Sequence, residues 1–166
     1  MQRKSKYNTI NHMFWSMIGW NYKGPIIWLE FDDGNGGTTA HMNQDRYIQN
    51  VLTPVRGKLR QRKMIFMQDG ARSHTAKRSM DWMREQGITV LENWPANSPD
   101  LNPIEEVWAE INRLLSIRGV AHTKEELKRM VEEEWRKIPQ SKINNYVMSF
   151  MTKTANCVKN RGGETK

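Results

Sequence analysis

Two carboxylates, Asp69 and Glu105, have the side-chain type and the spacing that metal-dependent phosphodiester chemistry requires. Asp69 follows a short apolar run at residues 63–68, and Glu105 lies in the first turn of the helix that Asn102 and Pro103 begin. The intervening segment is long enough for one helix, one strand and two turns. Two such carboxylates can share a divalent cation, because the cation relieves their mutual repulsion. Two-metal phosphodiester chemistry uses such a pair, usually with a third carboxylate.

Each carboxylate also has a structural interpretation, which the residues alone leave open. Asp69 can cap the helix that follows it, and Glu105 can complete a capping box with Asn102. Glu106 competes with Glu105 for the role of metal ligand. At about 100° per residue, Glu105 falls on the flank of the apolar helix face and Glu106 falls toward solvent. Glu105 is therefore the predicted ligand, and Glu106 is predicted to be solvated.

His74 and Asn102 are the polar residues expected to support these carboxylates. His74 lies near the start of the helix that follows Asp69, where it can hydrogen-bond a ligand carboxylate or a phosphate. Asn102, just before Glu105, can likewise hydrogen-bond a ligand carboxylate or a phosphate. The alternative for His74 is a surface or capping histidine.

A run of positive charge precedes the Asp69 segment and predicts contact with phosphate groups. It places five cations in eight residues, within a chain of net charge +8, which favours a polyanionic partner. A solvated linker before the strand and a nuclear-targeting patch are the alternatives. The candidate nucleic-acid-binding residues are Arg56, Lys58, Arg60, Arg62 and Lys63.

The composition excludes several other classes of protein. At 166 residues the chain can bury a core of ordinary size, and its single cysteine, Cys157, excludes an internal disulfide. Its four histidines are scattered without zinc-ligand spacing. No apolar run reaches the length of a membrane span or of a signal peptide. We therefore expect no membrane association and a location in the cytosol or the nucleus.

The elements that must position these residues form a mixed α/β pattern with an antiparallel hairpin at its start. The hairpin is predicted from residues 10–20 and 26–31, joined through Asn21–Gly24, and a turn-rich loop follows at 32–37. The other predicted elements are a helix beginning at 44–53 with Pro54 near its end or at a kink, strands at 63–68 and 88–91, a helix over 73–86 closed by Gly87, a helix from Pro103 to Gly119, a helix over 124–138 with a Thr123–Glu126 capping box, and a helix over 140–158.

Two motifs resemble the catalytic domain of the Tc/mariner superfamily of DDE transposases. They are Gln-Asp-Gly-Ala-Arg-Ser-His-Thr-Ala at residues 68–76 and Trp-Pro-Ala-Asn-Ser-Pro-Asp-Leu-Asn-Pro-Ile-Glu-Glu-Val-Trp at residues 94–108. Further similarity at residues 14–19, 23–26, 43–47 and 159–166 extends the resemblance over nearly the whole chain.

The resemblance implies an RNase H-like mixed sheet flanked by helices, in which three acidic residues bind two Mg²⁺ or Mn²⁺ ions. Asp69 matches the family's second acidic residue and Glu105 the third. The first should precede residue 14, but residues 1–13 contain no Asp or Glu. Asp32 and Asp33 follow the hairpin, where the topology would not place it.

The chain is accordingly expected to be a partial catalytic domain over residues 1–166, lacking the first strand and the family's N-terminal helix-turn-helix domains. The implied function is DNA transposition and integration in the nucleus, on double-stranded DNA at transposon ends and target, with a homodimer as a possible assembly. This chain itself is predicted to be inactive. The alternatives are a non-catalytic basic nucleic-acid-binding remnant and an inert remnant.

Overall fold

The computed structural model describes residues 12–30, 42–92, 94 and 98–161. The chain divides into two compact units, Met1–Ile26 with Asp100–Lys166, and Ile27–Pro99. The strands are β1 (Met13–Trp15), β2 (Ile18–Gly19), β3 (Tyr22–Lys23), β4 (Ile27–Leu29), β5 (Ile65–Phe66) and β6 (Thr89–Val90). The α-helices are α1 (Gln44–Tyr47), α2 (Thr53–Gln61), α3 (Arg72–Thr75), α4 (Lys77–Glu85), α5 (Pro103–Arg118), α6 (Lys124–Lys137) and α7 (Gln140–Lys159).

An antiparallel hairpin forms in the predicted region, but its second strand is β3, which lies inside the predicted turn Asn21–Gly24, and the predicted strand at 26–31 is the separate strand β4. β2 and β3 pair antiparallel, with Ile18 opposite Lys23 and Gly19 opposite Tyr22. Only Trp20 and Asn21 form the turn, because Tyr22 and Lys23 already belong to the second strand. The predicted loop at 32–37, with Asp32 and Asp33, lies outside the described residues.

The core of the first unit lies where α5, α6 and α7 meet. The helical stripe predicted for α5 is confirmed, since Val107 and Ile111 are almost fully buried. They pack with side chains from the other two helices. The buried cluster consists of Val107, Ile111, Trp135, Ile138 and Ile143. The bounds of the three helices agree with prediction to within a residue, because their caps are local signals: Asn102 and Thr123 accept first-turn amides, and Gly119 ends α5.

The helix that begins at Gln44 does not end near Pro54, so the first of the two predicted alternatives is wrong. Residues Ile48–Leu52 form a π-helical turn, in which the amide of Thr53 reaches the carbonyl of Ile48, and α2 then continues to Gln61. Proline lacks the amide that a regular helix would use and its ring crowds the preceding turn. A π-helical turn changes this hydrogen-bond register just before Pro54, so the chain stays helical.

The helix predicted over 73–86 is broken at Ala76, whose ψ of 136° is extended, so α3 and α4 are separate. The break frees two carbonyls that side chains then satisfy. The Ser79 hydroxyl donates to the carbonyl of Ser73 at 2.7 Å, and the Gln68 amide donates to that of His74 at 3.1 Å. The sequence pattern does not reveal the break, because these bonds come from residues outside the broken turn.

The second unit contains β5 and β6, which pair in parallel with Ile65 opposite Thr89 and Phe66 opposite Val90. Both predicted strands are confirmed, although shorter than expected. Gly87 closes α4 as predicted, with a φ of 66°. Its amide donates to Arg84 and the next amide donates to Met83, which is the hydrogen-bond pattern of a Schellman cap.

Substituting Gly87 by alanine is expected to destabilise the second unit by about 1 kcal/mol, because a side chain disfavours this positive φ. A Cβ at this position would meet no atom within 4 Å, so the cost is purely conformational. The matched control is Gly57→Ala within α2, also in open space. That variant should stabilise by about 0.5–1 kcal/mol, since alanine is the better helix former. Urea unfolding would measure the change in the free energy of unfolding for both variants. Changes of the same sign would contradict this explanation.

Candidate active site

Asp69 lies just after β5, and the loop that follows holds its carboxylate. Its Oδ1 accepts the amide of Ala71 at 3.1 Å and Nδ1 of His74 at 2.6 Å. The first bond makes a local turn of the kind aspartate favours. It ends on the residue that precedes α3, and not inside the helix, so Asp69 is not the N-cap of α3. The structure thus brings together Asp69 and His74, as the sequence predicted they could be.

The Asp69 carboxylate is held in its charged form. The hydrogen bond from His74 lowers the pKa of Asp69, partial burial opposes this by raising it, and the Ala71 amide lowers it further. An ionised carboxylate can only accept hydrogen bonds, so the proton between the two side chains must reside on Nδ1 of His74. The Asp69 side chain is 61% exposed and that of His74 only 16%. The histidine is therefore largely buried, whereas the carboxylate is open to solvent.

Tyr47 and Gln68 extend this pair into the protein, and the sequence analysis missed their role. The Tyr47 hydroxyl donates to Oε1 of Gln68 at 2.8 Å, and the Tyr47 ring lies 4.2 Å from the His74 ring between centroids. In the sequence Tyr47 recurs with Ile48, Val51 and Leu52 at helical spacing, and that pattern cannot reveal where a hydroxyl points. The only available signal for Gln68 was its position directly before Asp69.

Glu105 lies in the first turn of α5 and is exposed. Asn102 is the N-cap of this helix: its Oδ1 accepts the amide of Ile104 at 3.4 Å, and its carbonyl accepts that of Glu105 at 3.0 Å. Asn102 therefore fixes the start of the helix that carries Glu105. Its predicted contact with a ligand remains a prediction.

Glu106 does not simply face solvent, so that prediction is wrong: its side chain is only 34% exposed and contacts α7. It forms an ion pair with Lys153 of α7 and accepts a hydrogen bond from the Ser149 hydroxyl at 3.4 Å. The next turn of α5 repeats this contact, because Glu110 pairs with Lys142 at 2.8 Å. The apolar stripe locates only the core-facing side of α5. Its contact with α7 is made partly by charged side chains, which a hydrophobic pattern classes as solvent-facing.

Glu110 should make the stability of the first unit depend on pH in acid. Hydrogen bonds from Arg113 and then Lys142 lower its pKa to about 2. Because the folded value is depressed, the stabilisation is complete above the unfolded pKa of about 4.5 and is lost as pH falls toward 2. Glu110→Gln should flatten the stability profile over this window in urea unfolding. Glu125→Gln, at an exposed site in α6, is the control, and equal flattening by both would refute the assignment.

The five candidate nucleic-acid-binding residues do not lie in a linker, so that alternative is wrong. The segment forms most of α2 and its C-terminal cap, where Lys63 adopts a φ of 50°. Val55 and Leu59 are buried beneath it, and all five basic side chains are exposed. The helix thus presents Arg56, Lys58, Arg60, Arg62 and Lys63 to solvent.

The described residues fit a metal ion only in part. Asp69 is a suitable single ligand, being ionised and oriented through Oδ1. Within residues 12–30, 42–92, 94 and 98–161, however, no three His, Cys, Asp or Glu side chains gather to hold an ion. Asp69 belongs to the unit Ile27–Pro99 and Glu105 to the other unit. Asp69 and Glu105 are thus candidate metal ligands, each described within its own unit.

A carboxylate held after a strand of a mixed α/β fold is consistent with a polynucleotidyl-transfer class of enzyme, and comparison with known proteins identifies the family. The chain belongs to the DDE superfamily endonucleases, whose family model matches residues 3–128. No helix in the described part of the chain has the length and apolarity of a membrane span.

Curated relatives confirm the resemblance to the Tc/mariner group. The Tcb1 transposase of Caenorhabditis briggsae is 30% identical over 149 residues, which cover 85% of this chain and 54% of that protein. The Tc1 transposase of Caenorhabditis elegans is 32% identical over 106 residues, covering 63% of this chain and 38% of that protein. The chain thus spans about half the length, or less, of the curated relatives it matches.

Solved structures confirm the predicted RNase H-like α/β fold. The catalytic domain of Mos1 transposase, solved with raltegravir and Mg, superposes with a TM-score of 0.76 at 20% identity, covering 92% of this chain and 76% of that one. Mos1 in a paired-end complex with the left transposon end gives a TM-score of 0.80 at 20% identity, covering 100% of this chain and 48% of that one. At this identity the similarity establishes the fold alone.

Proposed function

We propose that this chain carries two of the acidic metal ligands, Asp69 and Glu105, of a Tc/mariner-type DDE transposase. The observation that carries the proposal is the ionised Asp69 carboxylate, held by His74 directly after β5 in a chain of this family. The proposed reaction is phosphodiester hydrolysis followed by strand transfer, in DNA transposition and integration. Bound metal ions would activate the attacking oxygen and stabilise the leaving one.

The proposed cofactor is Mg²⁺ or Mn²⁺, and the proposed partner is double-stranded DNA at transposon ends and target. The Mos1 catalytic domain has been solved with Mg and with Mn, and Mos1 transposase in a paired-end complex with the left transposon end, which supports both assignments by relationship. A nuclear location and a homodimer belong to the same proposal. The chain alone is proposed to be inactive, since losing one acidic ligand from such a site removes the placement on which turnover depends.

Metal binding tests the residue assignment even if the chain does not turn over. Mn²⁺ titrated into the ¹⁵N-labelled chain should broaden amide signals around Asp69 and Glu105. Asp69→Asn and Glu105→Gln should each abolish the broadening at the substituted site. Glu106→Gln is the matched control, because this neighbouring carboxylate contacts α7. Broadening that persists in both site variants, or that disappears only in Glu106→Gln, would contradict the assignment.

Nicking of supercoiled plasmid with Mn²⁺ tests the proposed inactivity. We expect the parent chain and its Asp69→Asn and Glu105→Gln variants to give the same background. Nicking by the parent that both variants lose would contradict inactivity, and it would show that another acidic residue completes the site.

The alternative function is non-catalytic binding of nucleic acid, and the exposed cations of α2 favour it. Phosphate contacts release counterions, so affinity should fall steeply with salt. The double variant Lys58→Gln/Arg60→Gln should weaken binding and make the slope of log affinity against log salt shallower by about 1–2. The variant Arg129→Gln/Arg136→Gln removes equal charge from exposed sites of α6 and should leave the slope unchanged. Equal effects of both would mean that only net charge matters.

A further inference from the structure

Behind the Asp69–His74 pair lies a chain of hydrogen bonds that neither carboxylate chemistry nor core packing accounts for. Tyr47 is fully buried at the end of α1, yet its hydroxyl is directed at Oε1 of Gln68. Gln68 in turn donates Nε2 to the main-chain carbonyl of His74 at 3.1 Å and lies 3.6 Å from the sulfur of Met80. Gln68 and Asp69 are adjacent in the chain, so the bonds close a ring that returns to the Asp69 carboxylate.

Every donor and acceptor in this ring has one consistent assignment. The main-chain carbonyl of His74 can only accept, so Gln68 gives it the NH₂ group and presents its oxygen to Tyr47. The Tyr47 hydroxyl therefore donates to Gln68, and burial, followed by the charge of Asp69, raises the pKa of this hydroxyl and keeps it protonated. His74 donates from Nδ1 because the ionised Asp69 carboxylate can only accept. The carbonyl of His74 fixes the orientation of the Gln68 amide, and Asp69 fixes the direction of the ring bond.

The ring acts on a segment that cannot hold its own shape. α3 has only four residues, and a single helical turn has little intrinsic stability. Because the helix breaks at Ala76, the carbonyl of His74 does not continue the ladder into α4 and is open to the Gln68 amide. Tyr47 also packs its ring on that of His74 at 33° between the ring planes, so it restrains this residue twice.

We propose that Tyr47 and Gln68 are positioning residues for the Asp69 carboxylate. Tyr47 orients Gln68, Gln68 holds the main chain of His74, and the His74 ring holds Oδ1 of Asp69. This rests on the proposed function, since it concerns a carboxylate assigned there as a metal ligand. Its consequence is a carboxylate oriented before any cation binds, because Oδ1 is fixed by two donors and the ligand need not order the side chain.

The test observes the His74 ring by NMR in the ¹⁵N-labelled chain at one neutral pH, without metal or DNA. Tyr47→Phe removes the hydroxyl and keeps the ring that packs on His74. We expect the Nδ1 proton of His74 to exchange with water about tenfold faster, as for the loss of one buried hydrogen bond. The ring ¹⁵N shifts should change from the Nδ1–H tautomer alone to a mixture. Gln68→Met, a second variant of similar size, should do the same.

Gly87→Ala is the control for general destabilisation, because it weakens the same unit without touching the ring of hydrogen bonds. It should leave the tautomer of His74 unchanged. Unchanged exchange and tautomer in both Tyr47→Phe and Gln68→Met, or equal changes in Gly87→Ala, would overturn the proposal.

A second readout links the positioning to the metal. Mn²⁺ broadening at Asp69 should require about tenfold more metal in Tyr47→Phe than in the parent. Absence of broadening in the parent, with the His74 results intact, would overturn the metal assignment of the proposed function and not the positioning of Asp69. Altered exchange together with an unchanged Mn²⁺ titration would overturn the positioning role.

Discussion

Replacing Lys23 by methionine is expected to lower the free energy of unfolding of the first unit by about 2 kcal/mol. The Lys23 ammonium donates to the carbonyls of Trp135, Arg136 and Ile138 at 3.1, 3.3 and 2.8 Å, at the C-terminal end of α6. These carbonyls carry the negative end of the helix dipole, and the carbonyl of Trp135 also accepts the amide of Ile138 at 3.3 Å. Methionine keeps most of the stem and removes all three contacts of the ammonium, although partial exposure to solvent limits the loss.

The control for Lys23 is a lysine at a helix end that makes no side-chain hydrogen bond within the described part of the chain. Lys159 lies exposed in the last turn of α7, so Lys159→Met should cost no more than about 0.5 kcal/mol. Urea unfolding of both variants measures the difference. A cost for Lys23→Met no greater than that for Lys159→Met would show that the three contacts do not stabilise the unit. Burial lowers the pKa of Lys23, so part of the gain from the carbonyls offsets this desolvation.

Gly24→Ala is expected to destabilise the first unit by about 3 kcal/mol. A Cβ on Gly24 would lie 2.8 Å from the carbonyl oxygen of Met17 and 3.0 Å from its Cγ. The backbone would have to move, yet it is tied at this point. The Gly24 amide donates to that same carbonyl at 2.8 Å, and its own carbonyl accepts the indole N–H of Trp135 at 3.1 Å. Overpacking and two strained hydrogen bonds therefore act together.

A double-mutant cycle with Met17→Ala locates the clash of Gly24→Ala. Met17→Ala removes Cγ and leaves the carbonyl oxygen, which is the closer atom. We expect the loss of unfolding free energy in the double variant to be less than about 0.5 kcal/mol smaller than the sum of the two single losses. Recovery of most of the loss would show that the side chain, and not the backbone, limits the space at Gly24.

These two predictions explain one motif of the family resemblance in structural terms. Residues 23–26 contain no side chain of the proposed site. Lys23 caps α6, and Gly24 permits a close approach to Met17 while its carbonyl accepts the indole N–H of Trp135. The motif therefore joins the hairpin to the helical core. A family motif can thus mark a packing constraint as well as a catalytic one.

Local chemistry made part of the candidate site predictable from the sequence. Asn102 and Thr123 bond amides within their own helices' first turns, and Gly87 needs no partner beyond its own turn. The proximity of His74 to Asp69 was predictable for a similar reason, because only a short loop separates them. In each of these cases the interacting groups are a few residues apart, so sequence spacing nearly determines their geometry.

The sequence by itself determined the family, the α/β class, the helix caps and the choice of Asp69 and Glu105 as candidate ligands. Only the tertiary structure decided the environment of Glu106, which faces Lys153 of α7, and the break between α3 and α4. It also decided that Tyr47 and Gln68 lie behind His74. These features depend on hydrogen bonds and ion pairs with other segments, and polar pairing across the fold leaves no period in a sequence.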